Sequence, residues 1–212
     1  MSMPHETTVT CKRCGTTRSF IVWESLNVTL DREAKQNLLK GELTRFTCQK
    51  CGWSGLVVYS LLYHDMEKHL MIWLWTDAGD PDAKAVPPAT LMKDYHLRYV
   101  ATQNELIEKI LIFDAGLDDR IIEFVKLLLY LQASERNQPF GGELFFGGLE
   151  CDADGKESVG FEHVKTEGSE TFAVPMEAYQ NLATSLKRKF SGAMELDKWL
   201  RVDRNFARAL IA

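Results

Sequence analysis

The chain has 212 residues, 45% of them apolar and 26% charged, and a formal net charge of −5. That is enough apolar material for one large domain or two small ones, and it excludes wholesale disorder. The acidic balance argues against a surface built throughout to grip nucleic acid. The most apolar run, Leu70 to Trp75, is too short to span a bilayer, and the start MSMPHETTVTC lacks the basic and apolar regions of a signal peptide. A soluble cytoplasmic protein with no membrane partner is expected.

Two phrases of the same form dominate the N-terminal part, TCKRCGTTRS at 10–19 and FTCQKCGWSG at 46–55. They supply four of the five cysteines, Cys11, Cys14, Cys48 and Cys51, and are separated by 33 residues without another. A Cys-x-x-Cys step turns the chain tightly enough for both sulfurs to face one ion. Gly15 and Gly52 permit the positive φ that such a turn tends to need. Two such knuckles at hairpin tips make a zinc ribbon, and the long gap is then an insertion. Residues 18–29 and 43–48 read as strands, and GLVVYSLLY at 55–63 continues the second arm. Between them DREAKQNLLKG at 31–41 reads as a short helix, with Asp31 as cap, Ala34, Leu38 and Leu39 as the apolar stripe and Gly41 as the stop.

The competing reading is a pair of dithiol redox switches, which would place each pair at a helix N-terminus. Both pairs are followed by β-branched, aromatic or glycine-rich runs that look like strands. One structural Zn²⁺ held by Cys11, Cys14, Cys48 and Cys51 is therefore expected. Four thiolates leave the ion no position for water, so its contribution is to folding and not to chemistry. Lys12, Arg13 and Lys50 sit within the knuckles. Their ordinary reading is to offset the −2 charge of such a centre, and the functional alternative is phosphate contact.

Further along, residues 77–92 hold three prolines and read as a linker. DYHLRYVAT at 94–102 reads as a strand. Helices are predicted from an Asn104 cap to Ala115, broken by Gly116, and from Asp118 or Asp119 to about Gln132, together an αα-hairpin. A loop at 137–142 follows. Strands at 143–151 and 157–165 flank the turn signal Asp154-Gly155, and 170–175 adds a third. A helix is predicted over 176–190, a strand over 196–202 and a short helix capped by Asp203. The fold class expected is α+β, with a β-rich zinc-ribbon domain over 1–78 and an α+β domain over 93–212.

The segments CKRCG, NVTLDREAKQNLLKGEL, FTCQKCG and LLYHDMEKHLMIWL, with a weaker echo in NELIEKILIFDAGLDD, resemble the CpXC domain family, named for its Cys-Pro-x-Cys pairs. The likeness covers roughly residues 5–130. Cys11, Cys14, Cys48 and Cys51 match the four motif cysteines, while Lys12 and Gln49 stand where the family name has proline. The resemblance implies metal binding and supplies no reaction.

Other residues carry two readings each. His64-Asp65 suggests acid–base chemistry, but adjacent residues seldom form a dyad and a turn bonding nearby backbone is the expectation. The strand-like HLMIWLW at 69–75 is apolar on both faces, and its Met71/Trp73/Trp75 face is expected to pack against the second lobe, the alternative being a partner surface. The bases of LKRKF at 186–190 complement a helix C-terminus, with phosphate binding as the alternative. Cys151 is expected to be a small core residue. P-loop, Rossmann, HExxH and G-x-S-x-G patterns are absent from the sequence. The leading expectation is a zinc-stapled module for a protein partner, homo-oligomers included. Nucleic-acid binding through Lys12, Arg13, Lys50 and Lys187 to Lys189 is the second. An enzyme with a site near Glu162, His163 and Arg204 is the third.

Overall fold

The computed structural model describes residues 2–76, 94–137, 141–191 (188–191 by backbone alone) and 198–211. Among them are eleven strands and five helices, a mixed α+β protein. The chain divides into two compact units, Met1–Ile107 with Leu196–Trp199, and Glu108–Glu195 with Leu200–Ala212. The predicted linker at 77–92 lies outside the described residues, as do 138–140 of the predicted loop and 196–197 of the predicted strand.

The first unit is organised by a six-stranded sheet in the order β1-β2-β5-β6-β7-β11. Strands β1 (Met3–Thr10) and β2 (Thr17–Asn27) form a long antiparallel hairpin whose tip carries Cys11 and Cys14. Its sheet end is buried at Val22, Leu26 and Asn27, and its tip end is largely exposed. After β2 comes α1 (Arg32–Leu39), where Asp31 accepts from the Ala34 amide at 3.2 Å and Leu38 is fully buried. The hairpin of β3 (Arg45–Thr47) and β4 (Ser54–Leu56) then forms its own two-stranded sheet. The chain rejoins the large sheet as β5 (Leu61–Asp65), parallel to β2. A parallel neighbour needs a crossover, and α1 with the β3–β4 hairpin supplies it. The run at 55–63, read above as one strand, is broken at 57–60: the Val57 amide donates to Thr44 O at 2.8 Å and Tyr59 Oη donates to Leu43 O at 3.3 Å.

β5 pairs antiparallel with β6 (Leu70–Leu74), and β6 lies parallel to β7 (His96–Val100). The β5–β6 turn is held by Asp65, which accepts from the Lys68 amide at 3.1 Å. His64 faces the Tyr95 hydroxyl at 3.1 Å and bonds no turn backbone with its ring, so only Asp65 of the pair serves the turn. Met71 is buried, and Trp73 meets the rings of Trp75 and of Trp199 edge-on, with centroids 5.8 and 5.9 Å apart.

Helix α2 (Gln103–Asp114) starts earlier than the Asn104 cap predicted for it. Thr102 Oγ1 accepts from the Glu105 amide at 3.2 Å, and Glu105 accepts from the amides of Ala101 and Thr102 at 2.7 and 3.3 Å. This is a reciprocal capping box, and its Thr-x-x-Glu signature is present in the sequence. After Gly116, Asp118 caps α3 (Asp119–Glu135), accepting from the Arg120 amide at 3.0 Å.

The second unit packs α3 and the start of its core, Ile112, with a three-stranded antiparallel sheet in the order β10-β9-β8. Its strands are β8 (Glu143–Cys151), β9 (Glu157–Val164) and β10 (Ser169–Pro175). Helix α4 (Met176–Ser191) contributes Tyr179 and Leu186 to the core, and α5 (Arg204–Ala209), capped by Asp203, contributes Ala207. Strand β11 (Trp199–Leu200) closes the large sheet beside β7. Cys151, expected in the core, is exposed, because β8 has by then run past the core toward the turn at Asp152–Gly155.

Five charged side chains are buried in this unit against expectation. Lys126 Nζ lies 3.0 and 3.1 Å from the two oxygens of Glu108 and 3.0 Å from Glu123 Oε1. Lys109 Nζ lies 3.3 Å from Glu123 Oε1 and 3.4 Å from Asp119 Oδ2. The Phe146 amide on β8 donates to Glu108 Oε1 at 2.7 Å, tying the cluster to the sheet. Three carboxyls face two ammoniums. Burial pushes Glu108 above the usual carboxylate range. Burial alone would pull Lys126 down, but Glu108 and Glu123 together hold it above an ordinary lysine.

Gly142 marks the tightest backbone approach in this unit. Its φ is +121, and a Cβ there would stand 2.2 Å from Val164 O on β9. Neither the conformation nor the contact can relax cheaply, so Gly142→Ala is expected to cost roughly 1–3 kcal/mol. Urea unfolding should show a lowered midpoint; an unchanged midpoint would contradict this packing.

Candidate metal centre

The two knuckles are built alike. In the first, the Gly15 amide donates to Cys11 O and the Cys11 amide to Thr16 O, both at 2.9 Å. In the second, the Gly52 amide donates to Cys48 O at 2.9 Å and the Cys48 amide to Trp53 O at 2.8 Å. Gly15 and Gly52 have φ of +69 and +70, a left-handed conformation that costs glycine nothing. Both Cys-x-x-Cys steps thus close the same turn, and each hairpin ladder begins just beyond it, at Thr10–Thr17 and Thr47–Ser54.

The knuckles meet face to face. Cys11 Sγ lies 3.6 Å from Cys51 Sγ, and Cys14 Sγ lies 3.6 Å from Cys48 Sγ. All four sulfurs lie within 4.8 Å of one another. No disulfide joins them. A tetrahedral ion with metal–sulfur bonds of about 2.3 Å sets its sulfurs about 3.8 Å apart. The observed spacing fits such an ion, and Cys11, Cys14, Cys48 and Cys51 are the residues that could hold it.

The thiols show the strain of four acids at one point. Hydrogen bonding from Thr16, whose Oγ1 is 3.4 Å from Sγ, lowers Cys14 to about 6. The amides of Cys51 and Lys50, at the turn, lower Cys48. For Cys51, the Trp53 amide favours the thiolate, but burial and the other cysteines together push it up to about 11. Once one or two sulfurs ionise, a further negative charge among them is resisted, and a divalent cation at the centre removes that resistance.

Around the sulfurs the apolar supply is small. The buried set is Cys11, Phe46 and Cys48, with Val9, Phe20, Trp53 and Val57 packed beside it. Phe20 meets Phe46 edge-on at 6.3 Å, and Trp53 lies over Gly55, where a Cβ would come within 2.3 Å of the indole. Two of the three buried residues are themselves cysteines. Burying one phenylalanine contributes about 2–3 kcal/mol, far less than is needed to order two hairpin tips.

The other candidate residues are not gathered into a comparable site. His163 is buried, with Nε2 3.1 Å from Gly141 O. Arg204 stacks on the Tyr130 ring at 3.7 Å. Glu162 neighbours His163 on β9 and so points to the opposite face. Lys12, Arg13, Lys50 and Lys187 are exposed. The side chains of 188 and 189 lie outside the described residues.

A closed four-thiol cluster between two hairpin tips defines a protein with a candidate metal-binding centre. The model of the CpXC protein family matches residues 9–126, more than half of the chain, and the chain belongs to that family. No match was found among curated proteins or among solved structures. Among the described residues no helix is long and apolar enough to cross a membrane.

Proposed function

We propose that Cys11, Cys14, Cys48 and Cys51 bind one structural Zn²⁺ and that the resulting zinc ribbon is a protein-interaction module of the cytoplasm. The observation that carries this reading is the mutual spacing of the four sulfurs, with both paired distances at 3.6 Å. Four soft ligands in a tetrahedral arrangement select zinc among common divalent ions. They leave it no position for substrate or water, so the ion's role is mechanical: it pins the β3–β4 tip to the β1–β2 tip, which the small surrounding core does not do alone. In this reading the ribbon lies within the first unit, whose sheet also takes in β7 from beyond residue 93, and the exposed end of the ribbon meets a protein partner.

Removing the ion tests the mechanical role. Dialysis of the full chain against a strong chelator under reducing conditions should collapse the amide NMR signals of residues 9–20 and 44–57 toward unfolded shifts. Added Zn²⁺ should restore them, and added Mg²⁺ should not. Signals that stay dispersed in the metal-free, fully reduced chain would overturn the reading.

A further inference from the structure

The tip region has a charge pattern unlike the rest of the chain. Residues 7–23 and 43–64, which contain both knuckles and their strands, hold Lys12, Arg13, Arg18, Arg45 and Lys50 and not one aspartate or glutamate. The chain as a whole carries −5. All five bases are exposed. The acids that border these stretches are Glu6, which bonds Ser19 within the hairpin, Glu24, which faces His5 at 3.3 Å, Glu42, which is exposed, and Asp65, which is buried. Within the two stretches themselves, the five bases outnumber the −2 of a divalent ion with four thiolates.

The bases are interleaved with exposed aliphatic side chains. Arg45 and Leu56 are direct cross-strand partners, so their side chains stand together on one face of the β3–β4 sheet. The next pair on that face is Thr47 and Ser54, whose hydroxyls are 3.2 Å apart. Lys50 lies at the tip beyond them. Phe46, between Arg45 and Thr47, turns inward to the sulfur cluster. Leu56 is 58% exposed, and Val58, just after it, is 72% exposed. The outer face of β3–β4 therefore offers Arg45, Leu56 and two hydroxyls in a row with Lys50 at the tip, and the exposed Val58 follows two residues after Leu56.

We infer that this outer face docks an acidic peptide segment of a partner protein, one in which carboxylates alternate with aliphatic side chains. The inference deepens the interaction-module reading and rests on it. Charge complementarity selects the carboxylates: Arg45 and Lys50 are exposed along this hairpin, with no acid between residues 43 and 64, and favour an anionic partner. The aliphatic exposure selects a peptide over a nucleic acid. A phosphate backbone has no apolar group for Leu56 and Val58, while a leucine or valine between two carboxylates covers them and desolvates the Arg45 contact. Acidic residues are the commoner charge on this chain outside the tip, so a long polyanion would also meet repulsion there.

The test is a fluorescence-anisotropy titration of the full, zinc-loaded chain with labelled synthetic peptides of equal length. One repeats Asp-Leu, one Asp-Ser and one Lys-Leu, and a single-stranded oligonucleotide of matching charge is run beside them. The Asp-Leu peptide should bind saturably, with affinity falling as salt rises. The Asp-Ser and Lys-Leu peptides should be at least about tenfold weaker, a loss of about 1.4 kcal/mol. Arg45→Gln combined with Leu56→Ser should weaken the Asp-Leu peptide at least tenfold, by the same measure, at unchanged zinc content. Arg45→Gln alone, a milder change, serves if the double variant loses its metal. The inference is overturned by no saturable Asp-Leu binding to zinc-loaded protein, by equal binding to the variant, or by tighter binding of the oligonucleotide. Zinc content, measured on every sample, separates this failure from failure of the metal reading.

Discussion

Cys48→Ser is expected to abolish binding of the proposed metal and to unfold the knuckle region. This is the largest effect expected of any single substitution in the chain. Cys48 is fully buried, its sulfur is 3.6 Å from Cys14, and its backbone holds both hydrogen bonds that close the second knuckle. A hydroxyl there is a hard, weakly acidic ligand, and three thiolates around one ion leave a gap that water enters. Structural zinc contributes roughly 10–16 kcal/mol of apparent binding free energy in small domains. Most of the stability of this region therefore goes with it, since Phe46 and its neighbours bury too little to compensate. The expected measurements are loss of stoichiometric zinc after gel filtration and loss of protease resistance at residues 9–20 and 44–57. Full zinc retention with an unchanged melting curve would contradict the single-site account.

Lys126→Met is expected to destabilise the second unit by about 3–5 kcal/mol, because it leaves buried Glu108 without its directly bonded cation, while Glu123 keeps Lys109. Lys126 Nζ serves Glu108 and Glu123 together, and Glu108 also anchors the Phe146 amide. The effect has a pH signature. In the native protein Glu108 already holds its proton above its ordinary 4.5, and loss of the neighbouring ammonium raises it further. A folded-state carboxyl with a raised pKa costs stability as pH climbs from the unfolded value through the folded one. The deficit of the variant should thus be small near pH 4.5 and grow toward neutrality. Glu108→Gln in the Lys126→Met background should recover part of it. Chemical unfolding across pH checks both statements, and a deficit independent of pH would show that Lys126 acts through packing alone.

The two effects differ in how far the sequence announces them. The knuckles are legible because each is local: two cysteines, a glycine with positive φ and the following strand lie within about ten residues, and the chemistry of thiolates brings the halves together. Caps are legible for the same reason, and Asp31, Asp118 and Asp203 each accept the amides their positions suggest. Asn104 is the more obvious cap in the sequence, and Thr102 becomes legible only when Glu105, the other half of its capping box, is read with it. β1 is not legible in the sequence: MPHETTVT is mostly exposed and lacks the apolar alternation that marks a half-buried strand. The buried ionic cluster is hidden in the sequence because charged residues on a helix are normally its solvent face. The available clue is that α2 has no polar face to spare, since Glu108 and Lys109 are hemmed in by Leu106, Ile107, Ile110, Leu111 and Ile112. Which carboxyl meets which ammonium depends on contacts distant along the chain, and Glu108 and Lys126 are on different helices.

Zinc-edge X-ray absorption on the purified, reduced full-length chain tests the central claim most directly. The account predicts one zinc per chain with four sulfur scatterers at about 2.3 Å and no nitrogen or oxygen in the first shell. A chain purified under reducing, metal-replete conditions that binds no zinc, or that binds it through nitrogen or oxygen ligands, would contradict it.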